Sequence, residues 1–203
     1  MIKNLHLLIT AGGTREYIDP VRFISNASNG KMGFALADAA AKAGHKVTLI
    51  TTIKNSKFKS VYVETAEQMF AAVRKYFPKC DCLIMAAAVA DYTPAKKSKL
   101  KIKKSDKNLT FRLKPTADIL KWAGKNKKKN QIVAGFALED KNLRKNAEEK
   151  LKDKKLDMII ANTPSTIGAE KAAVQIKQKN KNWVTLQNAD KSLIAKKIVA
   201  FIK

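Results

Sequence analysis

The sequence predicts a single α/β domain, residues 1–203, built on a mainly parallel sheet. Three observations predict it. Short apolar runs alternate with segments of helical period along the 203 residues. The run 82–89 is apolar almost throughout, as a strand covered on both faces must be. No internal repeat, low-complexity stretch or Pro/Gly-rich linker divides the chain.

Residues 5–10 read as a buried strand entering the turn Ala11-Gly12-Gly13-Thr14. A polar loop is expected over 15–29. Over 30–43, Phe34, Ala35, Leu36, Ala39 and Ala40 fall on one helical period, and Gly44 is suited to the C-terminal cap. Strands are expected at 46–52 and 60–64. Thr65 and Gln68 have capping-box spacing, so a helix opens there and runs to about 76, where Pro78 stops it. Residues 91–114 carry no helical period. Within them, 100–104 and 109–113 alternate polar with apolar and read as two exposed strands of a ribbon. A short helix over 118–125, a strand over 131–138, a charged amphipathic helix over 142–155 and a buried strand over 157–161 follow. Strands at 174–177 and 183–186 flank Asn180-Lys181-Asn182 as a hairpin. A helix over 189–202 closes the pattern.

Hydrophobic residues make up 45%, enough for a sizeable core. No apolar run approaches bilayer-spanning length, and no cleavage-site pattern follows the first ten residues, so neither membrane insertion nor secretion is expected. Cys80 and Cys82 stand one residue apart and cannot frame disulfides; a reducing cytoplasm suits them. The charge is +24, from 41 Lys plus Arg against 17 Asp plus Glu. That balance favours an anionic partner: nucleic acid, a membrane surface or a phosphorylated small molecule. Only Arg15, Arg22, Arg74, Arg112 and Arg144 are arginine, and an excess of Lys argues against sequence-specific nucleic-acid reading.

Four segments carry candidate chemistry. Over 10–34 a strand ends in glycines, and a helix later opens at Ser28-Asn29-Gly30-Lys31-Met32-Gly33. The glycines serve either turn and packing or the approach of an anion to a helix N-terminus. Asp91 ends the apolar run, where it either holds Mg²⁺ or a ribose hydroxyl or shapes a turn. Residues 96–104 are either a solvated charge run or a mobile basic strand closing over a polyphosphate. Lys150 and Lys154, i and i+4 on one helix, either meet phosphates or pair with surface acids such as Glu148. A dinucleotide-binding reductase is the alternative. Against it, the glycines lie some 20 residues past the first strand rather than directly after it, and 51–54 end in Thr-Thr-Ile-Lys without a ribose-binding acid. Pro94 also breaks any helix presenting Tyr92 and Lys96 together. His6 and His45 are isolated, so no metal-ligand cluster is read.

Segments 11–40 (AGGTREYIDPVRFISNASNGKMGFALADAA), AAAVADY, KIKK, GFALE and the lysine-bearing helix before IIAN resemble, in order and spacing, phosphopantothenoylcysteine synthetase, also called phosphopantothenate–cysteine ligase. The resemblance is strong over about 5–162 and weaker beyond. It implies a three-layer Rossmann-like domain with an extended β-ribbon, of the stand-alone type without a decarboxylase half. It implies a ligase of coenzyme A synthesis joining 4′-phosphopantothenate to L-cysteine. CTP, or ATP as in animal members, would activate the acid as an acyl-nucleotidylate, releasing NMP and pyrophosphate. Residue by residue, Lys101 would neutralise charge at the α-phosphate, supported by Lys103 and Lys104. Asn26 would bind the acyl carbonyl in the amide-forming step. Met85, Ala86, Ala87, Asp91, Ala117, Asp118, Ile119, Leu120, Phe136, Lys150 and Lys154 would form the nucleotide pocket. Gly12, Arg22, Ser28 and Gly30, with Asn26, would belong to the phosphopantothenate side. Mg²⁺ would accompany the triphosphate, bound mostly by water and phosphate. A homodimer is implied, with the 96–113 ribbon near its interface, and a separate phosphopantothenoylcysteine decarboxylase as a possible partner. The chain departs from the family pattern at Tyr17, Asn29, Ala117, the GFALED segment and Ile167-Gly168-Ala169-Glu170.

Overall fold

The computed structural model describes residues 4–54, 57–58, 60–169 and 171–202; Glu170 lies outside them. The strands are β1 (His6–Ala11), β2 (Arg15–Tyr17), β3 (Phe23–Ser25), β4 (Lys46–Thr51), β5 (Ser60–Tyr62), β6 (Cys82–Met85), β7 (Tyr92–Pro94), β8 (Leu113–Pro115), β9 (Ile132–Leu138), β10 (Met158–Asn162), β11 (Lys171–Gln178) and β12 (Val184–Asp190). The helices are α1 (Lys31–Lys42), α2 (Ala66–Tyr76), α3 (Ile119–Asn126), α4 (Leu143–Asp153) and α5 (Lys191–Ala200).

Eight strands form one sheet in the order β12-β11-β10-β9-β6-β1-β4-β5. The run from β10 to β5 is parallel; β11 and β12 return antiparallel at one edge. Parallel strands need crossovers that cover both faces. Helices α1 and α5 supply one cover, through Leu36, Ala37, Ala40, Ile194, Ala195 and Ile198. Helices α2, α3 and α4 supply the other, through Met69, Val73, Ile119, Ala123, Ala147 and Leu151. The result is the mainly parallel architecture expected from the alternation of elements, in the three layers that the resemblance implies.

Local signals match local structure. Thr65 and Gln68 close the capping box that opens α2, and Phe77–Lys79 tightens into a 3-10 turn at Pro78. Gly44, at φ +83, terminates α1, with the His45 N–H reaching the Ala40 carbonyl. His45 Nδ1 accepts from the Leu5 N–H, and His6 bridges the Lys79 carbonyl and the Thr48 hydroxyl, so both histidines hold the frame.

Two expectations are corrected. The loop over 15–29 contains a short hairpin, β2 paired with β3. Its polar composition hid it, because its stability comes from Asp19 at the turn and from tertiary anchors. The Arg15 N–H donates to the Glu64 carbonyl, and Glu16, itself buried, accepts from the Ala66 N–H at the start of α2. The ribbon also pairs elsewhere. Its ladder joins Tyr92–Pro94 to Leu113–Pro115, not 100–104 to 109–113. The peptide groups of Ile102 are instead taken by Asp19 and Arg22, which leaves the basic segment no ladder to join.

Candidate functional site

The sheet order reverses at β1. The chain leaves β1 toward β4 on one side, while β6 lies on the other. Loops following strands on opposite sides of such a point diverge, and ligands of open α/β sheets bind in the crevice they leave. Here the loops stay tied at their roots: the Thr14 N–H donates to the Ala88 carbonyl and the Ala88 N–H to the Gly12 carbonyl. Three threonine hydroxyls, those of Thr10 and Thr14 buried, fix the β6 loop further. Thr10 Oγ1 accepts from the Ala87 N–H, Thr14 Oγ1 accepts from the Ala90 N–H, and Thr116 Oγ1 donates to the Ala90 carbonyl. Above them opens a cleft of about 730 Å³.

One wall is residues 25–32, the end of the β2–β3 hairpin and the start of α1. Gly30 stands there at φ +71, and a Cβ on it would lie 2.6 Å from Ile53 Cδ1 and 3.2 Å from the Gly12 nitrogen. The glycine therefore admits both the left-handed turn and the close seat of α1 on the β1 loop. Lys31 and Met32, the first residues of α1, line this cleft, the Lys31 N–H donating to Asn29 Oδ1 at 3.2 Å, and the helix dipole favours an anion at this end. Asn26, exposed, donates from Nδ2 to the Val89 carbonyl at 3.2 Å, reaching across to the β6 loop.

The opposite wall comes from the carboxyl ends of β6, β9 and β10 and from α3 and α4. Asp118 caps α3 by accepting from the Lys121 N–H at 2.9 Å and pairs with Lys154 Nζ at 2.9 Å. Burial alone would raise its carboxyl, but Lys154 and the Lys121 N–H outweigh it and hold the group below its ordinary value. Lys150 donates to the Phe136 carbonyl at 2.9 Å. Burial first, and then the neighbouring Lys154 charge, push the Lys150 ammonium below its ordinary lysine value. Such a cation gains from a bound anion, whose opposite charge offsets both causes.

The cleft gathers most of the residues singled out from the sequence: Asn26, Ser28, Gly30, Met85, Ala86, Ala87, Asp91, Ala117, Asp118, Ile119, Leu120, Phe136, Lys150 and Lys154 all line it. Gly12 lies against Gly30 beneath its floor. Arg22 and Lys101 do not line it; they sit together at the far turn of the β2–β3 hairpin, joined through the Ile102 peptide. Lys103 and Lys104 continue exposed from there. Sequence reasoning missed Leu138, Asn162, Thr166 and Lys191, which extend the cleft past β10. Asn162 had a legible signal, a polar residue ending a buried strand. Lys191 had none, because only the antiparallel return of β11 and β12 brings the start of α5 here.

Tyr92 lies in extended β7, so Tyr92 and Lys96 share no helix. The carboxyl end of β4 carries Thr51 and Thr52, without an acid for a ribose diol. Among the described residues no cluster of three or more His, Cys, Asp or Glu could hold a metal, and no helix is long and apolar enough to cross a membrane.

Comparison with known proteins gives the lineage. The model for the DNA/pantothenate metabolism flavoprotein C-terminal domain matches residues 2–203. The coenzyme A biosynthesis bifunctional protein CoaBC of Borreliella burgdorferi is 42% identical over 207 residues, covering 99% of this chain and 53% of that protein. A protein named cysteine/cysteine sulfinic acid decarboxylase, from an unknown prokaryotic organism, is 47% identical over 173 residues, covering 83% of this chain and 48% of that one. The chain thus spans about half the length of the curated relatives it matches. Among solved structures, a crystal structure of the C-terminal domain of CoaBC superposes with TM-score 0.83 at 35% identity, covering 98% of this chain and 94% of the other. A DNA/pantothenate metabolism flavoprotein from Streptococcus pneumoniae gives 0.84 at 26% identity, covering 98% of each. The chain belongs to the DNA/pantothenate metabolism flavoprotein C-terminal domain family.

Proposed function

We propose that the chain is a phosphopantothenate–cysteine ligase of coenzyme A synthesis. It joins 4′-phosphopantothenate to L-cysteine and consumes CTP. The observation that carries this reading is the cleft at the sheet's reversal point. One wall offers the N-terminal end of α1, with its favourable dipole, and the Asn26 amide; the other offers Lys150 and Lys154. Two anionic substrates fit two such walls, and membership of a family whose relatives are named for coenzyme A biosynthesis supports the same assignment.

The chemistry follows in two steps. A carboxylate resists amines because its leaving group would be an oxide. Its oxygen therefore first attacks the α-phosphorus of CTP, forming the acyl–phosphate bond and expelling pyrophosphate. Lys150 and Lys154 hold the phosphates in the cleft, and Lys101, whose backbone stands outside it at the hairpin turn, reaches over the rim to neutralise the charge that grows at the α-phosphate. The cysteine amine then attacks the acyl carbonyl. Asn26 turns its Nδ2 from Val89 to the developing oxyanion, CMP departs, and the nitrogen loses its proton to complete the amide. A donor of this kind contributes about 3–4 kcal/mol. Phe136 meets base or sugar, and the backbone of Ala86, Ala87 and 117–120 frames the nucleotide. Ser28 and Gly30 serve the phosphopantothenate side with Gly12 beneath them, and Arg22 supports that side from the hairpin turn outside the cleft.

Mg²⁺ fits the triphosphate of this reaction. It is usually held by one or two carboxylates together with phosphates and water. Asp91, exposed at the cleft edge, supplies one carboxylate; Asp118 is already paired with Lys154. Bound there, the ion would neutralise phosphate charge. The proposal extends to a homodimer, with the exposed Tyr92, Leu100, Leu109 and Leu113 of the ribbon near its interface, to a separate decarboxylase as partner, and to a cytoplasmic setting.

Pyrophosphate release, measured with each of the four ribonucleoside triphosphates and with or without phosphopantothenate and cysteine, tests the reading. CTP-dependent turnover to the cysteine amide is expected. Tight NADPH binding with no pyrophosphate from any triphosphate would overturn it.

A further inference from the structure

We propose that Asp19 is a positioning residue for Lys101, fixing the basic segment 98–102 to the same hairpin that carries Asn26. The inference rests on the reading of Lys101 and Asn26 as the residues of the two successive steps.

Asp19 is buried, its side chain 0% exposed. Its two oxygens do different work. Oδ1 accepts from the N–H groups of Val21 and Arg22, each at 2.8 Å, and so closes the turn between β2 and β3. Such a turn requires only that oxygen. Oδ2 reaches outward instead, accepting from Arg22 Nη1 at 2.6 Å and from the Ile102 N–H at 3.1 Å. The same Arg22 Nη1 donates to the Ile102 carbonyl at 3.0 Å. The residue following Lys101 is therefore held at both its N–H and its carbonyl. Four residues earlier the Ser98 N–H donates to the Ile18 carbonyl at 2.8 Å. Among the described residues, every hydrogen bond tying 98–104 to another part of the chain ends on Ile18, Asp19 or Arg22.

This segment needs an anchor. Lysine occupies six of the nine positions 96–104, so it repels itself and has no ladder to join. A buried anion accepting charge-assisted hydrogen bonds is a strong counterweight. The anchor also sets a distance. Arg22 and Asn26 are separated by strand β3, so the clamp and the amide lie about 13 Å apart or less along the backbone.

Asp19→Asn is the selective test, because the amide oxygen can keep the Oδ1 bonds while its NH₂ faces the donors that Oδ2 now accepts. Hydrogen exchange should speed at the Ile102 amide while the sheet amides keep their protection. In single turnover without cysteine, acyl-nucleotidylate formation should slow about 100-fold, the usual scale for a misplaced reacting group. Added to Lys101→Gln, the Asp19→Asn change should slow the step no further. Full first-step activity in Lys101→Gln would overturn the underlying reading. An impaired Lys101→Gln with a normal Asp19→Asn, or effects that simply multiply in the double variant, would overturn the positioning role alone.

Discussion

The Asn26 amide donates to the Val89 carbonyl at 3.2 Å and so spans the mouth of the cleft, from the end of the β2–β3 hairpin to the loop after β6. Asn26→Asp replaces that donor with a carboxylate facing a carbonyl oxygen. Amide formation should fall by about 10²–10³, and acyl-nucleotidylate should accumulate when CTP, phosphopantothenate and cysteine are all present. Lys101→Gln should prevent the intermediate from forming. Mass spectrometry of quenched reactions distinguishes the two; intermediate absent from Asn26→Asp but abundant in Lys101→Gln would reverse the roles.

Lys150 is costly to the free protein and useful to the bound one. Its pKa is lowered by burial and by Lys154, so the folded chain releases this proton at lower pH than the unfolded chain. Stability therefore gains as pH rises through the depressed value, up to the ordinary lysine pKa. A bound triphosphate should restore the proton. Lys150→Met should leave the melting temperature unchanged or higher while weakening CTP binding at least tenfold. Calorimetry in two buffers of different ionisation enthalpy should register proton uptake on binding by the wild type at alkaline pH and less by the variant.

Gly124 sets the spacing between α3 and the end of α4. A Cβ there would come within 1.8 Å of the Lys154 carbonyl oxygen, a backbone atom that cannot swing aside. Gly124→Ala should destabilise the fold by about 1–3 kcal/mol or more, as overpacking does. It should also move Lys154 away from Asp118. Thermal unfolding and CTP affinity should both suffer; an unchanged melt would contradict the close approach.

Asp19 contributes to the acid limb of stability, as Asp118 does. Burial opposes its charge, but the N–H groups of Val21, Arg22 and Ile102 and the Arg22 guanidinium lower its pKa to about 2. The unfolded value is about 3.9, so the contribution is complete above that and lost as pH falls through about 2. Asp19→Asn should flatten the stability–pH curve across this window and leave its slope near neutrality unchanged, as measured by denaturant midpoints from pH 2 to 7.

Where chemistry is local, the sequence was readable. Thr65 and Gln68 announced the α2 cap and Gly44 the end of α1; of the apolar run 82–89 only Cys82–Met85 is a strand buried on both faces, and 86–89 leave the sheet as a half-buried loop tied to Thr10 and Gly12. The motifs carrying Asn26, Asp91 and Phe136 could be marked as parts of one site by their order and spacing. The hairpin at 15–25 and the true ladder of the ribbon could not. Their partners, Glu64, Ala66, Asp19 and Ile102, stand from dozens to some eighty residues away.

The order of apolar and polar residues by itself determined the alternation of strands and helices and the mainly parallel sheet, because periodicity and turn chemistry act between neighbours in the chain. Tertiary structure alone decided that Lys150 is buried against the Phe136 carbonyl, that Lys191 joins the cleft, and that Ile102, next to Lys101, is held by Asp19 at the hairpin turn rather than along the cleft wall. Those placements depend on which distant backbone groups remain to be satisfied once the sheet has closed, and no local pattern encodes that remainder.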